Sequence, residues 1–326
     1  MSENQNNNIR ISAVMPAYNA EKHIRRAIES IIKQSRPADE IIIVDDGSTD
    51  GTADIIRKYG DKIKYVYQEN AGEAVARNRA IEEAACEWVA FLDADDEWLP
   101  ENLEILEGVV TGNKNLVWAF GNFINCSCET EKRSIAHKNE IPEYLLGGKE
   151  FFSNYLAAFK EGFNACTISN IFKKEIFDTI GKFTPGQQRG ADTDMWLRIA
   201  YKYPQVGYVR EPLAIYHKGI TESMTSSHRN FDIISDMIEK HLKLSKENGC
   251  REDFVPCASH MLGVWIRDML STNDTDGLLE TVERYKELLD WRFRKEMRLR
   301  VKHPRIAPYC LALTSSIKRI IHSIKG

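Results

Sequence analysis

Four short apolar or β-branched runs near the start of the chain decide the fold: ISAVM at residues 11–15, EIIIV at 40–44, IKYVY at 63–67 and WVAFL at 88–92. Each run has the length of a strand and is bounded by polar or turn residues. Amphipathic helical patterns separate the runs, at residues 24–32, 52–59 and 73–85. This alternation predicts an α/β fold with a parallel sheet and helices on its faces. In such sheets, ligands bind at the carboxyl ends of the strands.

The alternation of strands and helices loosens after residue 98. The patterns predict a helix over 100–110, a strand over 116–126, a surface loop over 129–143, helices over 151–159, 173–180 and 192–203, and a strand over 213–217. Three long helical patterns follow, over 231–248, 254–271 and 277–291. They predict a helical C-terminal extension that covers residues 226–326.

Composition narrows the class of protein. The 326 residues carry 44 Lys and Arg against 48 Asp and Glu, a formal charge of −4, so bulk charge does not support a nucleic-acid partner. The sequence has no apolar run of the roughly 18 residues that a membrane-spanning helix needs, and residues 1–10 do not resemble a secretory signal. Seven cysteines without C-x-x-C spacing favour reduced thiols. We therefore expect a cytoplasmic protein.

The end of the chain is basic and amphipathic. Residues 292–305 contain seven Lys or Arg and one Glu. An apolar stripe at helical spacing follows, formed by Leu313, Ile317, Ile320, Ile321 and Ile324. Such a helix can lie on an anionic membrane surface, which predicts peripheral contact at the inner face of the cell membrane. The alternative is that the stripe packs on the rest of the protein.

An acidic turn, VDDGSTDG at residues 44–51, follows the second predicted strand. Carboxylates at a strand end that precede Gly47 and Ser48 form a tight turn and present acceptors to the crevice above the sheet. Asp46 could there accept the N3–H of a uracil, whereas Asp50 is placed to cap the next helix. The alternative is that these acids only form the turn.

A second acidic cluster, FLDADDE at residues 91–97, follows the fourth predicted strand. Asp93 and Asp95 are two positions apart, so in an extended backbone both side chains point to one face. Paired carboxylates of this kind suit a hard divalent cation that also accepts phosphate oxygens.

Several nucleotide and hydrolase motifs are absent from the sequence. We find no G-x-G-x-x-G after the first strand, no G-x-x-x-x-G-K-[ST], no H-E-x-x-H and no G-x-S-x-G. A nucleotide site without a glycine phosphate loop needs another way to neutralise a diphosphate. A metal held by Asp95 would supply it.

Five motifs stand in order within residues 11–98: VMPAYN at 14–19, IVDDGSTDGT at 43–52, ENAG at 69–72, ARNR at 76–79 and FLDADD at 91–96. In this order and spacing they resemble the donor-binding half of a family 2 glycosyltransferase of GT-A fold. The similarity continues more loosely to about residue 225, through IGKF at 180–183 and DTDMWLR at 192–198. It implies a Rossmann-like, mostly parallel sheet over residues 1–225, with a donor half over about 9–98 and an acceptor half over about 99–225.

The resemblance assigns site residues on the donor side. It implies that Pro16, Ala17, Tyr18 and Asp46 line the nucleotide base. Arg77 matches an arginine that supports the base pocket, Asp93 would face the ribose or the sugar, and Asp95 would bind Mn²⁺ or Mg²⁺ on the diphosphate.

The resemblance also assigns the catalytic base. The family usually carries a Glu-Asp pair at the start of a helix, and here that pair reads Ala191-Asp192, with Asp194 two residues on. Asp192 is the implied general base, and the alternative is that it only caps the helix. His217 matches a position near the metal or diphosphate, and the alternative is a structural histidine.

These residues and the resemblance together predict a metal-dependent transferase that moves a sugar from a nucleoside diphosphate sugar, with UDP favoured, to a glycan or lipid-linked hydroxyl acceptor. That the transfer is inverting is implied by the resemblance alone. One alternative is transfer to a lipid phosphate, which needs little help from a base. Another is a nucleotide-sugar-binding module without turnover. A sugar-1-phosphate nucleotidyltransferase would need a glycine-rich basic loop near residues 16–26, which the sequence lacks.

Overall fold

A computed structural model describes residues 9–148, 151–187, 189–219, 231–271 and 277–303. The chain divides into two compact units, Met1–His228 and Arg229–Gly326, here called the first and second units. The apolar stripe predicted over 313–324 lies outside the described residues.

The first unit contains eleven described strands and seven described α-helices. The strands are β1 (Ile11–Ala17), β2 (Glu40–Asp46), β3 (Lys64–Gln68), β4 (Trp88–Phe91), β5 (Glu97–Trp98), β6 (Trp118–Ser127), β7 (Arg133–Ile135), β8 (Leu146–Gly148), β9 (Phe151–Phe152), β10 (Asn170–Lys173) and β11 (Val206–Lys218). The helices are α1 (Ile24–Ile32), α2 (Thr52–Arg57), α3 (Glu73–Glu83), α4 (Asn102–Gly112), α5 (Tyr155–Lys160), α6 (Ile176–Ile180) and α7 (Ala191–Lys202).

One mostly parallel sheet forms the centre of the first unit. Its strand order is β3-β2-β1-β4-β10-β6-β11-β9-β8, with β5 paired to β11 and β7 paired to β6. The first four strands in this order run parallel, β10 runs antiparallel to both of its neighbours, and β6 and β11 are parallel again. Helices flank the sheet and β1 is buried along its whole length. The predicted α/β class is confirmed, and the carboxyl ends of β1, β2 and β4 meet at one edge.

Stacked aromatic rings form the core beneath that edge. The rings of Phe172 and Trp196 lie 4.6 Å apart at an angle of 11°. We call this cluster the aromatic layer, and its members are Phe91, Trp118, Phe172, Phe177, Phe183 and Trp196. All six are buried, which ties β4, β6 and β10 to α6 and α7.

The structure corrects the helix predicted over residues 151–159. Phe151 and Phe152 form β9, and α5 begins only at Tyr155. The reason is local, because the side chain of Asn154 caps the helix. It accepts hydrogen bonds from the backbone amides of Leu156 and Ala157, which fixes the start of α5 at this point.

Three further predictions in this region differ in part from the structure. Lys173 belongs to β10 and not to the helix predicted over 173–180, because Asn170–Lys173 pairs with two neighbouring strands. The loop predicted over 129–143 contains β7, which pairs with β6. The strand predicted over 213–217 is longer and begins at Val206, with a bulge around Pro212 that a proline without an N–H can occupy.

The second unit is helical. Its described helices are α8 (Phe231–Glu247), α9 (Arg251–Ser271), α10 (Leu278–Arg284) and α11 (Trp291–Lys302). The single helix predicted over 277–291 is wrong, because α10 ends at Arg284 and a new helix starts after Asp290, whose side chain accepts a hydrogen bond from the Arg292 amide. No described helix is both long and apolar enough to cross a membrane.

Candidate active site

The loop after β1 is fastened to the loop after β2. Asn19, with a φ of +46°, accepts a hydrogen bond from the Thr49 amide at 2.8 Å, and the Ala20 amide donates to the Thr52 hydroxyl at 2.8 Å. These bonds fix the start of the crevice, where the predicted base-binding residues lie.

Three of those predicted residues lie at the end of β1 or directly after it. Pro16 and Ala17 are buried in the strand, whereas Tyr18 is 53% exposed. A large aromatic ring left open to solvent at a strand end is available to a ligand. The assignment of these three residues to the nucleotide base stays a prediction.

The acidic turn after β2 is held by its first acid. The Oδ1 atom of buried Asp45 accepts from the Ser48 amide at 2.9 Å, and its Oδ2 atom accepts from the Tyr65 hydroxyl at 2.8 Å. Burial and this hydrogen bond raise the pKa of Tyr65 to about 12. Gly47 has a φ of +75°, and a Cβ atom there would lie 2.7 Å from the Asn70 amide nitrogen. The turn therefore requires glycine.

The second acid of this turn, Asp46, binds the backbone that directly precedes α3. The Oδ1 atom of Asp46 accepts from the Gln68 side-chain amide at 2.6 Å and from the Ala71 amide at 3.0 Å, and its Oδ2 atom accepts from the Gly72 amide at 2.9 Å. An ionised carboxylate offers about four acceptor positions, so one is left after these three bonds. The predicted contact with a base remains compatible with this geometry and stays a prediction.

Arg77 joins two carboxylates beneath the crevice. Its side chain is 5% exposed, and its Nη2 atom donates to Glu73 at 2.6 Å and to Asp93 at 2.7 Å. The guanidinium lies over the ring of Phe183, at 5.5 Å, and its Nε atom has no partner among the described residues. Desolvation raises the pKa of Glu73 to about 7; Arg77 opposes this rise, and the charges of Asp93 and Asp192 add to it.

The turn after β4 concentrates negative charge. Desolvation and the charge of Asp93 raise the pKa of Asp95 to about 6, against the opposing charge of Arg26. Arg26 donates to the backbone carbonyl of Asp95. Desolvation, Asp95 and Asp93 also raise the pKa of Asp96 well above its usual value. Asp96 is fully buried, and its Oδ1 atom accepts from the His217 amide at 2.7 Å.

His217 lies beside this turn, but its ring faces another acid. Its Nε2 atom is 3.1 Å from the Oε1 atom of Glu97, and its side chain is largely buried. Desolvation and the charge of Arg26 lower the pKa of His217, and the bond to Glu97 opposes this. The predicted role of His217 at a metal or diphosphate therefore depends on its other ring nitrogen and stays a prediction.

The acids at the start of α7 have different partners. Asp194 is fully buried and accepts from the Arg198 Nε atom at 3.0 Å, and Arg198 also donates to the carbonyls of Ile180 and Lys182. Asp192 is half-buried and accepts from the Thr193 amide at 2.6 Å. Asp194 is thus tied into the fold, whereas Asp192 is the acid that remains accessible.

The structure therefore gathers acids from three elements at one edge of the sheet. We call this group the acidic edge, and its members are Glu73, Asp93, Asp95, Asp96 and Asp192. Sequence reasoning missed one member of the acidic edge, Glu73, and one neighbour, Arg26. Glu73 directly follows the ENAG motif, which could have marked it, but Arg26 is one of several charges on the polar side of α1 and carries no distinguishing signal.

The chemistry of the edge fits a divalent cation. Asp93 and Asp95 supply hard oxygen ligands whose negative charges destabilise each other. Within the described residues no group of three or more His, Cys, Asp or Glu is placed to hold a metal ion. A bound Mg²⁺ commonly takes only one or two carboxylates and completes its shell with phosphate oxygens and water, so the pair is sufficient when a diphosphate is present.

Comparison with known proteins identifies relatives of this region. The model of the family described as Glycosyl transferase family 2 matches residues 12–181. TuaG of Bacillus subtilis, a glycosyltransferase whose name assigns it to teichuronic acid biosynthesis, is 49% identical over 98 residues, 29% of this chain and 39% of its own. A Haemophilus influenzae glycosyltransferase is 36% identical over 147 residues, 43% of this chain and 58% of its own. The chain thus spans less than two thirds of the length of either relative.

Solved structures share the fold. The crystal structure of S. aureus TarS 1-349 is 17% identical, covers 89% of this chain and 86% of its own, and superposes with a TM-score of 0.62. The same protein in complex with UDP-GlcNAc covers 91% of this chain and 92% of its own, with a TM-score of 0.60. At this identity the likeness concerns the fold alone.

Proposed function

The chain belongs to glycosyl transferase family 2, and from that premise we propose that it transfers a sugar from a nucleoside diphosphate sugar to a hydroxyl group of a glycan acceptor, with inversion at the anomeric carbon. We assign this activity to residues 1–225. We favour a UDP-sugar as the donor for two reasons. Asp46 could accept the N3–H of a uracil, and the TarS structures hold UDP-GlcNAc and UDP.

One observation carries this proposal. Glu73 and Asp93 come from separate elements, yet both accept from the same Nη2 atom of Arg77, at 2.6 and 2.7 Å. Asp192 and Asp95 lie close enough to the half-buried Glu73 for their charges to raise its pKa. A general base, a carboxylate for the donor and a metal ligand are therefore close together above the sheet. Transfer requires this proximity, because base, acceptor and anomeric carbon must meet in one geometry.

In the proposed reaction the acceptor hydroxyl attacks the anomeric carbon while the bond from that carbon to the diphosphate breaks. Asp192 takes the hydroxyl proton, and the electron pair of the broken bond leaves with the diphosphate. Arg77 holds Asp93 in place through the bond of 2.7 Å, so that Asp93 can accept from hydroxyls of the ribose or sugar. Asp95, with Asp93, would hold Mn²⁺ or Mg²⁺, which when bound stabilises negative charge on the leaving group.

The name of TuaG points to a polysaccharide of the cell surface, and we propose a glycan or lipid-linked glycan acceptor for this chain. Ala191 at the start of α7 is buried and has no acid to offer, so Asp192 is the family base that remains.

Calorimetric binding of UDP, GDP and TDP, with and without Mn²⁺, tests the donor class. We expect UDP to bind more tightly when Mn²⁺ is present. Asp95→Ala should remove the metal-dependent part of this affinity, and Asp61→Ala, which replaces an exposed acid, should leave it unchanged. If no nucleotide binds under any condition, the proposed transfer is wrong.

A further inference from the structure

The last described helix of the second unit carries a line of exposed side chains. In α11, Trp291, Lys295, Arg298 and Lys302 are spaced at i, i+4, i+7 and i+11, which places them on one side of the helix. All four are exposed, and Trp291 is 58% exposed. At 1.5 Å per residue the line is about 16 Å long. We call it the basic stripe.

The charge of the basic stripe is only partly neutralised. Arg298 forms an ion pair with Glu283 at 2.7 Å. Lys295 and Lys302 have no ion pair with any residue that the structure describes. The guanidinium of Arg292 lies 5.5 Å from the Trp291 ring and adds a further cation at one end. This local excess of positive charge contrasts with the formal charge of −4 for the whole chain.

The opposite side of α11 is already covered. Met297 is fully buried, and the ring of Phe293 lies under the Arg267 guanidinium at 4.9 Å. A helix that inserts into a bilayer needs a free apolar face, and in α11 that face packs against the protein. The exposed side offers one aromatic ring and a row of cations, which suits a charged chain lying along the surface better than lipid.

From this geometry we infer that the basic stripe binds a linear polyanionic glycan, a chain whose sugar units carry carboxylate or phosphate groups. The cations would meet successive charged units, and the Trp291 ring would stack on the apolar face of a sugar. Binding of a polyanion to spaced cations releases counterions, so the affinity should fall as salt increases. The inference requires no step of sugar transfer and stands apart from the proposed activity.

Oligogalacturonate, a linear polyuronate, is a suitable probe, and its fully methyl-esterified form is the uncharged control. We expect the full chain to bind the first and not the second, in calorimetry at low salt. Lys295→Glu with Lys302→Glu should weaken binding by at least about tenfold. Lys62→Glu with Lys114→Glu makes the same change of charge at exposed positions outside the stripe and should have little effect.

The role of the ring is tested separately. Trp291→Ala should weaken binding while the slope of affinity against salt concentration stays the same, because the ring contributes no charge. The substituted side chains are exposed, so circular dichroism should show an unchanged fold and calorimetry should show unchanged UDP binding. If the parent protein itself does not bind UDP, that result contradicts the proposed sugar transfer and leaves the binding of a polyanionic glycan to the basic stripe untouched.

Two results would overturn the inference. One is equal affinity of oligogalacturonate for the stripe variant and the control variant. The other is binding of the full chain to phosphatidylglycerol vesicles, lost in the stripe variant, with no binding of oligogalacturonate. That result would assign the basic stripe to a lipid surface.

Discussion

The acidic edge and the aromatic layer lie next to each other in the first unit. The edge holds acidic side chains that repel one another, whereas the layer holds uncharged rings that pack together. At the edge, desolvation and neighbouring acids raise the pKa of Glu73 to about 7 and that of Asp95 to about 6. In the layer, the rings of Phe172 and Trp196 stack at 4.6 Å without any charge to accommodate. Phe183 belongs to both regions, because it lies under Arg77 and against Trp196.

This difference separates activity from stability. Acids held in each other's field are costly to the fold, and such groups cluster where chemistry needs them. Stacked, buried rings contribute favourable packing and restrict movement. We therefore expect substitutions at the edge to affect transfer more than stability, and substitutions in the layer to do the reverse.

Asp192→Asn should give the largest effect on activity. Loss of a general base lowers the rate by about 10²–10⁴-fold. The fold should change little, because within the part of the chain that the structure describes the hydrogen bonds of the Asp192 side chain join it only to the adjacent Thr193. Transfer and UDP binding would be measured on the same preparation, and UDP affinity should be kept.

Asp194→Asn is the contrasting variant. It weakens the ion pair with Arg198, so it should mainly lower the free energy of unfolding.

A small loss of transfer in Asp192→Asn would favour the lipid-phosphate acceptor, because an acceptor that is already ionised needs little help from a base. Retained binding with no transfer in the parent protein would favour a binding module.

Phe172→Ala should give the largest effect on stability. Removal of a fully buried ring that contacts Phe91, Trp118, Phe177 and Trp196 costs about 3–5 kcal/mol of unfolding free energy. Denaturant unfolding followed by near-ultraviolet circular dichroism reports the packing of the tryptophan rings.

Phe172→Leu keeps most of the apolar volume and should cost less. Below the unfolding transition, UDP binding by both variants should match that of the parent protein. A loss of UDP affinity in Phe172→Leu at full folding would show that the layer and the edge are not separable.

The donor side of the fold was predictable because its signals are local. Its β1, β2, β3 and β4 strands appear as apolar runs with turn residues around them, and acidic turns stand at the ends of β2 and β4. On the other side, Asn170–Lys173 is a four-residue strand flanked by two antiparallel partners, and Phe151–Phe152 is shorter still. Such strands depend on distant partners, which periodicity along the chain does not show.

The same distinction applies to the site. The spacing of Asp93 and Asp95 marks them in the sequence, and the structure places both at the edge. No local pattern tells that Asp194 is tied to Arg198 while Asp192 remains accessible, or that the ring of His217 faces Glu97. These pairings are made between side chains that the fold brings together.

Acid should weaken the aromatic side of the unit through His137. Desolvation lowers the pKa of this histidine from 6.5 to about 4, and its ring nitrogens lie 3.1 Å from the Tyr208 hydroxyl and 3.0 Å from the Asn164 carbonyl. The unfolded chain takes up a proton below pH 6.5, whereas the folded protein does not until about pH 4. Stability is therefore complete above pH 6.5 and lost as the pH falls towards 4, by up to about 3 kcal/mol.

His137→Gln isolates this contribution. Other groups titrate in the same range in both proteins, so the informative quantity is the difference in unfolding free energy between pH 7 and pH 4.5. The variant should lose less stability on acidification than the parent protein. An equal loss in both would mean that His137 is not responsible.

Asn154→Ala should give the smallest effect, confined to the start of α5. The Asn154 side chain accepts from the Leu156 and Ala157 amides at 2.9 and 3.3 Å, and the helix that it caps carries Tyr155 against Trp118. Loss of the cap costs about 0.5–2 kcal/mol. Asn154→Asp, which keeps the acceptor, should recover most of this loss. Because the cap lies on the side of the aromatic layer, transfer measured well below the unfolding transition should be unchanged in both variants, and a fall in transfer would extend the active site beyond the acidic edge.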